Sequence, residues 1–147
     1  MVFHGVEYWH EENLIHNFKL WDASKNTIRD YLQIEAELML DWTKRHGRQT
    51  PLRMLVDISE VGLIPTELFL TYKHPQLRTV RQMPLRYIAY LSDHITHQLL
   101  FHRVAQAGGA DWQQYRRLVA PQEVATARRW LHTVYRHAEL EYLPASR

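Results

Sequence analysis

The sequence contains no cysteine among its 147 residues. Disulfide bonds, thiolate zinc sites and cysteine nucleophiles are therefore excluded. Glycine is also scarce, and the five glycines form neither a dinucleotide fingerprint, nor a phosphate-binding loop, nor the Gly-x-Ser-x-Gly elbow of a serine hydrolase. These absences disfavour a conventional enzyme, and we expect a noncatalytic protein that needs no cofactor.

Long apolar runs are missing as well. No run approaches the roughly 18 residues that a membrane span requires, and the first residues lack the basic and then apolar pattern of a signal peptide. We therefore expect a soluble, cytoplasmic protein with no membrane span. The length and the 46% hydrophobic content fit one domain over residues 1–147, with a loose tail after about residue 143.

Positive charge is concentrated in the second half of the chain. Residues 76–147 contain ten arginines against five acidic residues, although the formal net charge of the whole chain is only +2. The arginines are scattered over separate predicted elements, without a lysine-rich run or a glycine-aromatic RNA-binding signature. This pattern favours solvated helix faces over a nucleic-acid surface, and we expect no nucleic-acid partner.

The spacing of apolar residues predicts the element order ββαβαβαβα. An antiparallel hairpin over residues 3–10 and 14–21 is followed by a helix over about 27–46, which Gly47 closes. Three further strands alternate with helices that begin with proline or with Ser-Asp; the strands are Leu52–Ile58, Leu85–Leu91 and Tyr115–Val119, and the helices begin at Pro65, at Ser92-Asp93 (ending at Gly108-Gly109) and at Pro121. The predicted fold class is α/β, with a mixed sheet of about five strands and about four helices in one domain.

Three segments carry a resemblance to a known family. They are Leu55–Val61, which ends a buried strand, Pro65-Thr66-Glu67, which opens a helix, and Tyr115–Pro121 ahead of the helix containing Ala127–Leu131. In this pattern the chain resembles the SpoIIAA-like, or STAS, domains, which are typified by anti-sigma-factor antagonists. The resemblance implies a SpoIIAA-like fold and a regulatory or protein-interaction module.

In the family members that switch partners, an Asp-Ser-Ser-Gly turn carries a serine that accepts phosphate. Pro65-Thr66-Glu67-Leu68 stands at the matching positions here, and only Thr66 keeps a hydroxyl. Glu67 would repel an added phosphate, so Thr66 is interpreted as a helix-start hydroxyl rather than a phosphoacceptor. We therefore expect an interaction module without an intact phospho-switch, with its partner surface near residues 60–74. The alternative is a small apolar ligand or lipid in a groove beside the helix of residues 66–74.

Two sets of polar residues leave other chemistry open. Asp57, at the end of a central strand, is predicted to accept hydrogen bonds from loop N–H groups, and the alternative is a catalytic or metal-binding cluster with Asp93 or His94. His94 and His97 share one predicted helix with His102 but lack the glutamate of the His-Glu-x-x-His pattern, so we expect no metal site. The predicted binding residues are Asp57, Thr66, Glu67, Phe69, Leu70 and Tyr72.

Aromatic residues are abundant, with five tryptophans and eight tyrosines. They exceed what one core of this size needs, so some should line a groove or a homodimer contact. Tyr72 and Trp112 are the predicted surface aromatics because turn residues flank them. The expected partner is another protein or a small apolar ligand, and a homodimer remains an open alternative.

Overall fold

A computed structural model of the chain describes residues 2–3, 5–11, 15–47, 50–69 and 86–141. These residues form six strands and three α-helices, together with short 3-10 turns at Thr66–Phe69 and Pro121–Glu123. The elements in chain order are β1 (Val2–Phe3), β2 (Val6–His10), β3 (Ile15–Leu20), α1 (Lys25–His46), β4 (Leu52–Asp57), β5 (Arg86–Leu91), α2 (Ile95–Gln114), β6 (Arg116–Val119) and α3 (Val124–Glu141).

All six strands lie in one mixed sheet, in the order β1-β2-β3-β4-β5-β6. The strands β1, β2 and β3 pair antiparallel, whereas β3 to β6 are parallel neighbours. The predicted α/β class and the opening hairpin are thus confirmed. The predicted first strand is divided into β1 and β2, which raises the described strand number to six.

The side chains of the parallel strands alternate between two buried faces of the sheet. Phe18, Val56 and Tyr90 lie side by side in register under α1 and α2, which we call the α1 face. Leu55 and its neighbours lie on the opposite face against α3, where Leu131 has no exposed surface. Burial of Val56 and Leu131, expected from their strand and helix patterns, is confirmed.

The ends of α1 follow its capping residues. The Ser24 side chain accepts a hydrogen bond from the Thr27 N–H at 3.2 Å, and this bond satisfies one of the free N–H groups of the first turn. At the other end Gly47 has a φ of +77° and donates its N–H to the Thr43 carbonyl. The predicted span of about 27–46 is therefore correct within two residues.

The predicted end of a helix at Gly108-Gly109 matches a break inside α2, which joins two helical pieces across a kink at Gly109. Gly109 does leave the helical conformation, with a φ of +72°, but the chain resumes a helix and continues to Gln114. The second piece brings Trp112 against Phe101, with 5.1 Å between ring centroids. At the start of α2, His94 rather than Ser92 or Asp93 occupies the cap position.

Within the described ranges no helix is both long enough and apolar enough to cross a membrane. The predicted helix from Pro65 to Tyr72 is represented by the 3-10 turn Thr66–Phe69, in which the Leu68 N–H donates to the Pro65 carbonyl. Leu70, Tyr72 and the predicted tail after residue 143 lie outside the described residues.

Candidate functional site

The loop that follows β4 begins at Asp57, which fixes the loop's first turn. The Ser59 N–H donates to Asp57 Oδ1 at 2.9 Å, and the Ser59 hydroxyl donates to the same oxygen at 2.5 Å. The second carboxylate oxygen lies 4.0 Å from Lys19 Nζ. The predicted role of Asp57, which is to bond the backbone of its own loop, is therefore confirmed.

Two histidines at the start of α2 hold the same loop from the other side. His94 Nε2 lies 2.7 Å from the Ser59 carbonyl oxygen, and His97 Nε2 lies 2.5 Å from the Gly62 carbonyl oxygen. A carbonyl oxygen only accepts hydrogen bonds, so both Nε2 atoms carry the proton. The loop is thus anchored to α2 at two points three residues apart.

Ser92 completes the anchor. Its Oγ accepts the His94 N–H at 3.1 Å and lies 2.6 Å from His97 Nδ1, so the hydroxyl donates to that nitrogen. Burial lowers the pKa of His97, which keeps the ring neutral and its Nδ1 free to accept. The result is a fixed tautomer with each ring nitrogen bonded.

A serine hydroxyl on a histidine also has the local geometry of a nucleophile and its base. Here Ser92 is 2% exposed and His97 is fully buried, so no substrate reaches either atom in this conformation. His94 bonds the Ser59 carbonyl rather than the Asp57 carboxylate. No three potential metal-ligating side chains converge in the part of the chain that the structure describes. In this conformation the arrangement anchors the loop to the start of α2.

Beyond the anchored loop, an apolar groove of about 730 Å³ runs between the loop and the first half of α1. Leu63, Ile64 and Pro65 form one wall, and Ile28 and Leu32 form the other. The nine lining residues are Ala23, Lys25, Ile28, Arg29, Leu32, Gln33, Leu63, Ile64 and Pro65. Leu63 is the most exposed large apolar side chain described, with 82% of its surface accessible.

The start of α1, the helix that forms the second wall, is held by hydrogen bonds. Asp22 Oδ1 accepts hydrogen bonds from the Ser24 N–H and from the Thr27 hydroxyl, and Thr27 in turn accepts the Gly5 N–H. A Cβ on Gly5 would lie only 2.3 Å from Asp22 Oδ2, so glycine is required for this close approach. The start of α1 and the loop that leads to Leu63 are therefore both held by hydrogen bonds.

The predicted binding residues fall into three groups. Asp57 and Thr66 flank the loop, and Thr66 is exposed at the start of the 3-10 turn, where Glu67 follows it. Phe69 is 1% exposed and packs edge-to-face on Tyr90, so its side chain belongs to the core rather than to the groove. The other two, Leu70 and Tyr72, lie outside the described residues.

Sequence reasoning missed the α1 side of the groove. Lys25, Ile28, Arg29, Leu32 and Gln33 recur at helical spacing and so share one face of α1. The available signal for the groove was Leu63-Ile64, two apolar residues in the loop ahead of the helix predicted from Pro65.

The exposed aromatic side chains also differ from those predicted. Trp9 is 43% exposed and lies on the side of the sheet opposite the α1 face. Trp21 is 47% exposed and lies just after β3. Trp112, a predicted surface aromatic, is half-buried, with the Arg116 guanidinium 5.0 Å from its ring centroid. Tyr72, the other one, was not among the described residues.

No model of a known protein family matches this chain, and no curated protein matches it closely enough to count as a relative. The candidate site is therefore interpreted from its own geometry.

Proposed function

We propose that this chain is a noncatalytic protein-interaction module that resembles the SpoIIAA-like domains and lacks their phospho-switch. Its partner contacts the groove between α1 and residues 62–65. The observation that carries the proposal is Leu63, a leucine with 82% of its surface exposed on a loop that His94 and His97 anchor. An apolar side chain held in solvent by such an anchor is suited to being buried by a partner.

The anchored loop supports this function because it prepares the surface before binding. A groove whose walls are already ordered loses little conformational entropy when a partner docks. The polar groups near the groove also serve structure rather than catalysis, since Ser92 and His97 are buried and bonded to each other. Thr66 and its neighbours lack the family's phosphorylated turn, so the proposal requires no modification.

A second candidate is a small apolar ligand in the same groove. The volume of about 730 Å³ falls inside the range of roughly 300–1,000 Å³ that is typical of ligand sites. The apolar lining with a few polar side chains at its border is also typical of such sites. Native mass spectrometry of the freshly purified protein tests this candidate, because a retained ligand adds a defined mass.

The proposed function is tested with two matched leucine variants. Leu63→Asp introduces a charge into the groove, whereas Leu99→Asp introduces the same charge on α2 at a site that is 63% exposed. Both positions are exposed, so each change should alter the free energy of unfolding by no more than about 0.5 kcal/mol. The comparison therefore separates loss of binding from loss of structure.

Tagged wild-type protein and both variants are expressed in cells of the organism that encodes the protein, and bound proteins are captured. Each candidate partner is then purified and titrated against all three proteins. We expect a partner that binds wild type and Leu99→Asp equally and loses at least tenfold in affinity with Leu63→Asp. Partners that bind all three proteins alike would refute the groove as the contact surface. A retained apolar ligand that disappears only with Leu63→Asp would favour the second candidate.

A further inference from the structure

The groove has a positively charged border. Lys25 and Arg29 both line it, both are exposed, and they stand four residues apart on α1. None of the nine described lining residues is acidic. Asp22 precedes the cap residue Ser24 and accepts hydrogen bonds from Ser24 and Thr27, and Asp30, 3.7 Å from Arg29 Nε, is an acidic neighbour on the helix itself. An exposed pair with Asp30 is weak and leaves Arg29 able to pair with a partner.

The dimensions of the groove match a short helix. The lining residues of α1 run from Lys25 to Gln33, which corresponds to roughly 12 Å, or about two helical turns. Neither wall offers a free sheet edge, because one wall is a helix and the other is a loop held by its carbonyl groups. An extended peptide would find few backbone partners there, whereas a helix satisfies its own backbone.

We infer that the partner segment is an amphipathic helix with acidic residues beside its apolar stripe. This inference rests on the proposed function and specifies its partner. Apolar side chains at positions i and i+4 enter between Leu32 and Leu63, and carboxylates one turn apart face Lys25 and Arg29. The two cations are about 6 Å apart along α1, the same rise that separates residues i and i+4 of the partner helix.

Charge complementarity distinguishes this occupant from an acyl chain. A fatty acid carries one carboxylate at one end and would engage one of the two cations, whereas an acidic helix engages both. Exposed ion pairs at a border contribute mainly to association rate and to salt dependence, while the apolar contacts supply most of the affinity. Binding should therefore weaken with salt but should not vanish.

The probe is a phage-displayed library of random 16-residue peptides, selected on the immobilised full-length protein. We expect selected peptides to combine aliphatic residues at i, i+4 with Asp or Glu at i, i+4, and to gain helical circular dichroism on binding. Fluorescence anisotropy then gives the affinity of the best peptide. At low salt, the double variant Lys25→Glu/Arg29→Glu should bind this peptide with about tenfold lower affinity. A second peptide, in which the acidic residues are changed to lysine, should bind the double variant better than it binds wild type.

The matched control is Lys44→Glu/Arg103→Glu, which makes the same change of net charge at exposed positions outside the groove. The affinity of this control variant for the best peptide should stay within twofold of the wild-type affinity. Peptides that lose binding with Leu63→Asp but are indifferent to Lys25→Glu/Arg29→Glu would overturn the acidic helix and leave the proposed function standing.

Two other outcomes would overturn both the acidic partner helix and the proposed protein-interaction function. Selected peptides that bind Leu63→Asp as well as wild type would move the contact surface away from the groove. Failure to select any peptide, together with Leu63-dependent binding of dodecanoate, would replace the partner helix with an aliphatic anion as the occupant.

Discussion

Replacing Glu35 by glutamine tests the buried ion pair that ties α1 to the sheet. Glu35 has no exposed surface, and its Oε1 accepts a hydrogen bond from Arg86 Nη1 at 2.5 Å. Three arginines are buried among the described residues, whereas Glu35 is the only buried carboxylate there. One of those arginines, Arg116, already has its pKa lowered by burial. Glu35 is thus the buried carboxylate that pairs with Arg86.

The expected loss of stability follows from the burial of the Arg86 guanidinium. Glu35→Gln removes the carboxylate that pairs with the Arg86 guanidinium, which is 7% exposed. Removing one member of a buried pair costs about 3–5 kcal/mol of unfolding free energy, because the remaining charge is desolvated and uncompensated. For a chain of this length such a loss corresponds to a fall in melting temperature of roughly 10 °C or more. The double variant Glu35→Leu/Arg86→Met should recover much of it, since both desolvation penalties are removed.

Urea denaturation followed by tryptophan fluorescence and circular dichroism measures these differences. Glu37→Gln, on the exposed side of α1, is the matched control and should change the unfolding free energy by no more than about 0.5 kcal/mol. A loss below about 1 kcal/mol for Glu35→Gln would refute the buried pair. A double variant no more stable than Glu35→Gln would refute the role assigned to charge desolvation.

Three further predictions concern the core, the pH dependence and the loop. Leu131→Ala should cost about 2–5 kcal/mol in urea denaturation, with exposed Gln122→Ala near zero as its control. Burial lowers the pKa of His16 from 6.5 to about 4, so the unfolded chain takes up the proton first. Stability should be lost as pH falls from about 6.5 to 4, by on the order of 3 kcal/mol, and the loss should be smaller in His16→Gln. Thr66→Ala should change stability by less than about 0.5 kcal/mol and leave partner selection unchanged, and phosphopeptide mapping should find no stoichiometric phosphate on Thr66.

The fold was largely predictable because its signals are local. The N-cap at Ser24 and the glycine at position 47 bound α1 by backbone chemistry that operates within one turn. The apolar run of β4 similarly predicts a strand covered on both sides. Gly109 marked the break in α2 because a glycine interrupts a helix locally, but the second helical piece up to Gln114 was not predicted.

The site was predictable only where it too is local. Asp57 bonds a serine two residues away, which the sequence at the strand end indicates directly. The His94 and His97 bonds reach carbonyls 35 residues earlier, and no periodicity encodes such contacts. Glu35 lies among the buried residues of α1, but its partner Arg86 is 51 residues away in the sequence. The spacing of apolar residues therefore could not predict this ion pair.

The anchor also explains how an exposed apolar loop coexists with a stable domain. The large exposed apolar side chain of this loop is Leu63, whereas Val61, two residues earlier, is 1% exposed and packs in the core, and the carbonyl of Gly62 is bonded to His97. The Ser59 and Gly62 carbonyl groups are thus hydrogen-bonded within the chain, so the proposed partner would meet a loop whose backbone is already held at these two residues. The loop can present an apolar side chain in a fixed position, and the free energy released on covering that side chain is available for binding rather than for ordering the loop.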